Sequence, residues 1–540
     1  MLNLENTFAN PAALADIGYK APHRFLILGL GESGLAMAKW CLRNGAQVRM
    51  ADTRDKSTLS ARQLAWVDEL RVAGLKDIQF GPLADNLLVD IDVIGISPGL
   101  SPLQEPTQAF LVKARKSRID VWSEIEFFAR AIAALSRMAQ ENQSAYATTV
   151  LAVTGTNGKT TTTALTGQLC ERAGKKVAVA GNISPAALEK LISCLDTSDQ
   201  IEDMPDIWVL ELSSFQLVYT YSLNAAAATV LNLSQDHLDW HGDMQSYAAA
   251  KANIFGKDSV FILNRDDALV MNLLTDDQKA EHSIVTFGAN RPDEQGAFGI
   301  EHDLRAGGID WLVWAEVDED LEPKPKRRRK GAAVEEDEPL RLKRLIPADA
   351  LRIRGRHNAL NALAALALAR AANLPMNVLL HGLRDYHGEP HRVQSIAIVN
   401  DVEYIDDSKG TNVGATVAAL NGLGSSESGK RIWLIAGGDG KGQDFSPLRE
   451  PALRFVKGIY LIGKDAEKIA EALSDEVPCT LSGTLSAAVQ AVAVEAQSGD
   501  LVLLSPACAS LDQFRDYVER AELFVSEVEE LGMRFEGVQA

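Results

Sequence analysis

From Val150 to Thr161 the chain reads Val-Leu-Ala-Val-Thr-Gly-Thr-Asn-Gly-Lys-Thr-Thr, and a helix-compatible stretch continues from Thr161 to Ala173. An apolar strand, a glycine turn and a helix in that order make an anion site. The N–H groups of the turn and the helix start point at the anion, and the helix dipole favours negative charge there. Lys159 has the reach for β and γ phosphates, and the Thr160 hydroxyl suits magnesium. Gly155, Thr156, Asn157, Gly158 and Thr161 complete the cradle. The first glycine of the general G-x-x-x-x-G-K-[ST] pattern falls at Val153, so this loop is a shortened form. The expectation is a nucleoside triphosphate; the alternative is an ordinary strand–turn–helix.

Further reactive side chains follow later strands. Asn182, in Gly181-Asn182-Ile183, offers an amide to a phosphate oxygen or a substrate. Glu211 closes an apolar run as a hard oxygen donor of the kind magnesium prefers. His237, in Asp236-His237-Leu238-Asp239, is either a metal ligand or a structural histidine. Lys251 is either a helix-surface lysine or, if burial lowers its pKa enough for reaction with carbon dioxide, an anionic carbamate.

A second glycine loop, Gly29-Leu30-Gly31-Glu32-Ser33-Gly34, lies between a strand and a helix, with Asp52 after the next strand. Alone it reads as a nicotinamide-dependent dehydrogenase, but the same geometry suits any diphosphate-bearing ligand. Beside a triphosphate loop, it reads better as the cradle of a nucleotide-linked substrate. Ser97-Pro98-Gly99, at the end of a third strand, borders the same crevice.

The elements that must position these groups alternate strand and helix. Arg24–Leu30, Gln47–Ala51 and Ile91–Ser97 read as strands, with a helix over Gly34–Asn44. Val177–Ala180, Ile207–Leu212, Ala228–Leu233 and Val260–Leu263 follow, then an alanine-rich helix over Asn358–Ala372. Arg431–Ala436, Gly458–Ile462 and Leu501–Ser505 form a last set of strands, closed by the amphipathic stretch Asp512–Leu531. Such alternation means parallel sheets, and 540 residues are too many for a single core. Three α/β domains are predicted, at 1–119, 120–388 and 389–540. Two stretches read as additions. Ala134–Thr148 is polar, a surface loop or helix extension. Glu316–Pro339 carries opposed basic and acidic runs, a solvated loop between short strands rather than a nucleic-acid patch.

A net charge of −19 argues against nucleic-acid binding. Cys41, Cys170, Cys194, Cys479 and Cys508 are dispersed and odd in number, as expected of free thiols in a reducing compartment. No apolar run approaches the roughly 18 residues of a membrane span, and no secretion signal opens the sequence. The cytoplasm is the expected location, and a monomer the expected state.

Together these residues resemble the Mur ligase family of ATP-dependent amide ligases. The carrying motifs are Thr154-Gly-Thr-Asn-Gly-Lys-Thr-Thr161, Glu211-Leu-Ser-Ser-Phe-Gln-Leu217, Gly355-Arg-His-Asn358, Asp406-Asp-Ser-Lys-Gly-Thr-Asn412, Gly437-Gly-Asp-Gly-Lys-Gly442 and Ser505-Pro-Ala-Cys-Ala-Ser-Leu-Asp-Gln-Phe514. The resemblance implies an N-terminal Rossmann-like domain for a UDP group, a central P-loop ATP-binding domain and a C-terminal Rossmann-like domain for an amino acid. It implies that D-glutamate is added to UDP-N-acetylmuramoyl-L-alanine through an acyl phosphate, with ATP and two magnesium ions. One ion would sit on Thr160 and Glu211, the other on His237 and carbamylated Lys251, with Lys159 and Asn182 completing the catalytic set. Asn358, Arg392 and Asp407 would contact the rest of ATP. Gly31, Glu32, Ser33, Gly34, Asp52, Thr53, Ser97, Pro98, Gly99, Asn182 and His237 would hold the UDP substrate. Lys409, Thr411, Lys441, Ser510, Leu511 and Tyr517 would clasp D-glutamate, and two cations among hydroxyl donors suit a dicarboxylate. The alternatives are a sister or folylpolyglutamate-type ligase, a nucleotide switch that hydrolyses ATP without ligation, and the dehydrogenase.

Overall fold

The computed structural model describes residues 2, 4–5, 7–9, 23–304, 308–317, 324–325, 336–337, 340–424 and 431–538. Three large sheets succeed one another along the chain. The first runs Asp77–Phe80, Gln47–Asp52, Arg24–Leu28, Val93–Ile96 and Asp120–Trp122 in spatial order, all parallel. The second has nine strands, with Thr149–Thr154 between Ala227–Val230 and Ile207–Glu211, and Val177–Gly181 at one edge. On its far side Val260–Asn264, Ile284–Phe287 and Phe298–Asp303 continue in parallel. The antiparallel strands Ile309–Val317 and Leu340–Pro347 close it. They flank the charged addition, of which most residues lie outside the described set. The third sheet runs Gln394–Val399, Val402–Asp406, Leu501–Leu504, Ile432–Gly437, Val456–Ile462 and Cys479–Gly483, parallel except for the first pair.

The central strands are apolar on both faces because both faces are covered. Successive side chains of Thr149–Thr154 point to opposite sides. Leu151 and Val153 pack with the helices Lys159–Arg172 and Arg356–Ala371. Val150 and Ala152 join a second cluster with Trp208 and Phe128, which extends into the first domain. The helix Glu124–Glu141 ties these two domains together. Its Phe127 packs on Phe25 and Trp122, while its Phe128 meets Trp208 edge-on at 5.1 Å.

Two expectations change. Of the two readings of Ala134–Thr148 the helix extension holds as far as Glu141, but Ala134, Leu135 and Ala139 are buried, so that half packs in the core rather than at the surface. The last helix spans Tyr517–Val538, starting five residues later than the amphipathic pattern suggested. Asp512–Asp516 instead form turns and bends in the loop that leads from Leu501–Leu504 to this helix.

Candidate active site

Helix Lys159–Arg172 begins at Gly158, where φ is +84°. A side chain there would be strained, and its Cβ would stand 2.4 Å from Asn361 Oδ1. Glycine therefore lets the loop lie against the alanine-rich helix. The Lys159 ammonium donates to the carbonyls of Gly155 (3.0 Å) and Thr156 (2.8 Å), and burial lowers its pKa, opposed by Glu211 and Asp236.

The Gly155–Thr160 loop forms one wall of a cleft between the second and third domains. Thr156 to Thr160, Asn182, Glu211 and His237 line the near side; Arg392, Lys409, Thr411 and Tyr517 line the far side. An adjoining pocket is bordered by Thr161, Asn358, Arg392, Asp407 and Lys409. The domains touch directly across it: Arg392 Nη2 donates to Thr160 Oγ1 at 2.6 Å.

Glu211 is 3% exposed and ends its strand facing this cleft. Its Oε1 accepts from Asn182 Nδ2 at 2.8 Å, whereas its Oε2 is buried without a hydrogen-bond partner. Such an orphaned carboxylate oxygen fits a cation. Among the described residues no group of three or more His, Cys, Asp or Glu could hold a metal ion. An ion at Glu211 would thus complete its shell with hydroxyl or ligand oxygens.

Lys251 is 1% exposed, not a surface lysine. Its ammonium donates to Gly155 O at 2.8 Å and Thr154 Oγ1 at 3.2 Å, directly behind the Gly155–Thr160 loop. Burial, and next the Lys159 charge, hold its pKa well below the usual lysine range. His237 lies half-buried at φ +53°, edge-on to Phe215, with its pKa lowered by burial against the pull of Asp236.

On the far wall the Lys409 ammonium stands 3.9 Å from the Tyr517 ring centre. Burial, reinforced by Arg392, lowers its pKa to about 8. Burial raises the Asp407 carboxyl to about 7, although Ser505 Oγ donates to it at 2.6 Å. Lys441, Ser510 and Leu511 stand apart from this wall. Ser510 is buried and Leu511 is 68% exposed, while the Lys441 charge still bears on His237.

The second glycine loop folds as expected after Arg24–Leu28, with Gly31 capping helix Glu32–Arg43. Ser97 Oγ donates to Gly29 O at 3.1 Å, so Ser97-Pro98-Gly99 borders the loop. Asp52 accepts from Leu30 N–H (2.6 Å) and from the Arg54 guanidinium (2.7 Å), organising the loop from beneath while Thr53 follows it. Glu32 pairs with Arg62 at the surface.

Sequence reasoning missed Asp236, Glu389, His391 and Asn412 on the cleft walls, and Asn361 in the adjoining pocket. The signal for Asn361 was its i+3 spacing from Asn358 on one helix face. His391 adjoins Arg392, and Asn412 ends a motif already singled out, but neither spacing says which way the side chain turns.

Family models match over three stretches. These are the Mur ligase MurD-like N-terminal domain at 23–122, the Mur ligase middle domain at 153–369 and the Mur ligase glutamate ligase domain at 391–508. The chain is 56% identical over 521 residues to a UDP-N-acetylmuramoylalanine--D-glutamate ligase of Cupriavidus metallidurans, covering 95% of this chain and 97% of that one. It is 56% identical over 501 residues to the enzyme of that name from Ralstonia nicotianae, covering 92% and 95%. Among solved structures, MurF of Acinetobacter baumannii superposes with TM-score 0.54 at 16% identity, covering 97% of this chain and 100% of that one. That last likeness concerns the fold alone.

Proposed function

The chain belongs to the Mur ligase family, and we propose that it joins D-glutamate to UDP-N-acetylmuramoyl-L-alanine in peptidoglycan precursor synthesis, using ATP. The observation that carries this is a single cleft in which Lys159 and Glu211 of one domain face Lys409 and Tyr517 of the next, in a chain 56% identical to ligases of that name.

The substrate carboxylate attacks the γ-phosphate, and ADP leaves as the bond to the β–γ bridging oxygen breaks, giving an acyl phosphate. The D-glutamate amine then adds to its carbonyl carbon, and phosphate leaves the tetrahedral intermediate. Two anions must approach each other in the first step, so neutralising charge matters more than proton transfer. Lys159 turns from its loop carbonyls to the β and γ phosphates, with Gly155, Thr156, Asn157, Gly158 and Thr161 around them. Arg392 moves from the Thr160 hydroxyl to a phosphate. Asn182, held by Glu211, orients the reacting carboxylate. Asn358 and Asp407 take the nucleoside in the adjoining pocket.

Thr160 and Glu211 would hold one magnesium ion, and His237 and carbamylated Lys251 the other. When bound, these ions supply positive charge against the phosphate and the attacking carboxylate. The carbamate reading is supported by the buried Lys251 amine: its neutral form can attack carbon dioxide, releasing one proton and leaving an anion. The glycine loop with Asp52, Thr53 and Ser97–Gly99 would take the UDP group, and the extended substrate would reach Asn182 and His237. Lys409, Thr411 and Tyr517 would hold D-glutamate at the cleft wall, and Lys441, Ser510 and Leu511, which stand apart from it here, would join them only on domain closure. Among the described residues no helix is long and apolar enough to cross a membrane. A cytoplasmic monomer is proposed, which light scattering and fractionation test.

The deciding experiment follows ADP release over a panel of amino acids. Only D-glutamate should support turnover, and only with UDP-N-acetylmuramoyl-L-alanine present. ADP release without either substrate would make the chain a nucleotide switch instead.

A further inference from the structure

Asn412 opens the helix Val413–Leu423 of the third domain, and its Oδ1 accepts the Ala415 N–H as a cap at 2.9 Å. The same side chain crosses to the central domain. Its Nδ2 donates to Asn157 Oδ1 at 3.1 Å, and Asn157 Nδ2 donates back to Asn412 Oδ1 at 3.3 Å. Asn412 Nδ2 also lies 3.4 Å from Asp236 Oδ2. Asn157 is a firm anchor: its N–H donates to Asn232 Oδ1 at 2.8 Å, and Asn232 Nδ2 donates to its carbonyl at 3.0 Å. Its side chain is therefore presented to the third domain while its backbone stays with the phosphate loop.

The close approach depends on Gly414, where a Cβ would sit 3.1 Å from both Asn157 Nδ2 and Ser234 Oγ. Capping alone needs neither partner, because serine or aspartate caps a helix as well as asparagine. Asparagine alone among them offers a donor and an acceptor of sufficient reach to answer another amide and a carboxylate together.

We propose that Asn412 is a positioning residue that latches the amino-acid domain onto the phosphate loop through the Asn157–Asn412–Asp236 contact. Lys409 and Thr411 precede it by three and one residues, and Lys159 follows Asn157 by two. Making the contact therefore sets the two halves of the cleft in register. The inference rests on the ligase reading and adds the coupling of its two sites.

The test compares the full chain with Asn412→Ser, Asn412→Asp, Asn157→Ala and the Asn157→Ala/Asn412→Ser double variant. Asn412→Ser keeps the cap and loses the latch. It should melt as the parent does and show a KM for D-glutamate raised roughly tenfold, the scale of one or two lost hydrogen bonds. The KM for UDP-N-acetylmuramoyl-L-alanine should not move, because a merely structural defect would shift both. Asn412→Asp, also a cap, should do worse, since its charge faces Asp236. The double variant should be no worse than the poorer single one. An unchanged D-glutamate KM in Asn412→Ser, parallel rises in both KM values, or effects that multiply in the double variant would overturn the proposal. Failure of the parent chain to use D-glutamate would instead sink the ligase reading.

Discussion

Lys409 should make D-glutamate use fail in alkali. Its ammonium lies against the Tyr517 ring, and burial with the neighbouring Arg392 charge brings its pKa to about 8. In the free enzyme about ten-elevenths of the molecules carry the charge at pH 7, and about one-eleventh at pH 9. If the charge is what clasps a D-glutamate carboxylate, this titration alone lowers kcat/KM for D-glutamate by roughly tenfold over that range, since kcat/KM reports the free enzyme. The D-glutamate amine also titrates there and becomes more nucleophilic, which pushes the rate the other way. Lys409→Arg separates the two effects. Arginine stays charged throughout, so the ratio of parent to variant kcat/KM cancels the substrate's own titration. That ratio should fall roughly tenfold from pH 7 to pH 9. A flat ratio would refute the reasoning.

Lys159→Ala should lower turnover by at least about a hundredfold, the scale of a lost transition-state donor, while circular dichroism stays that of the parent. Normal turnover would remove the phosphate-loop role. Lys251→Ala should be nearly inactive and regain activity with added acetate or formate, which replace the missing anion; intact mass should show the carbamate on the parent. No rescue, with an unmodified lysine, would discard the carbamate. Glu124 is fully buried, accepts the Leu188 N–H at 2.6 Å, and burial raises its pKa from 4.5 to about 7. The folded state then holds this proton more tightly than the unfolded one. The stabilisation is complete below about pH 4.5 and is lost as the pH rises to about 7 and beyond. Between pH 5 and pH 8 urea unfolding should show the parent losing roughly 2–3 kcal/mol more than Glu124→Gln; parallel profiles would disprove it.

The sequence by itself determined the local chemistry. The run Val150–Thr161 had to be strand, loop and helix, because a short unbroken apolar run, two glycines and a lysine admit little else. Strand ends at Glu211 and helix Arg356–Ala371 were legible for the same reason: their signals are periodic and short-range. Edge strands such as Asp77–Phe80 and Gln394–Val399 carried weaker patterns, being largely half-exposed or exposed.

Tertiary structure alone decided which side chains meet. Lys251 reads as either a helix-surface lysine or a buried, modifiable one until packing places it behind Gly155, and that burial lowers its pKa. Arg392 and Thr160 are 232 residues apart in sequence, and Asn157 and Asn412 are 255 apart. No spacing along the chain encodes such contacts, since they depend on how two separately folded domains settle against each other. Periodicity reports the environment of a residue within its own element, whereas a cleft between domains is made by distances that only the assembled chain defines.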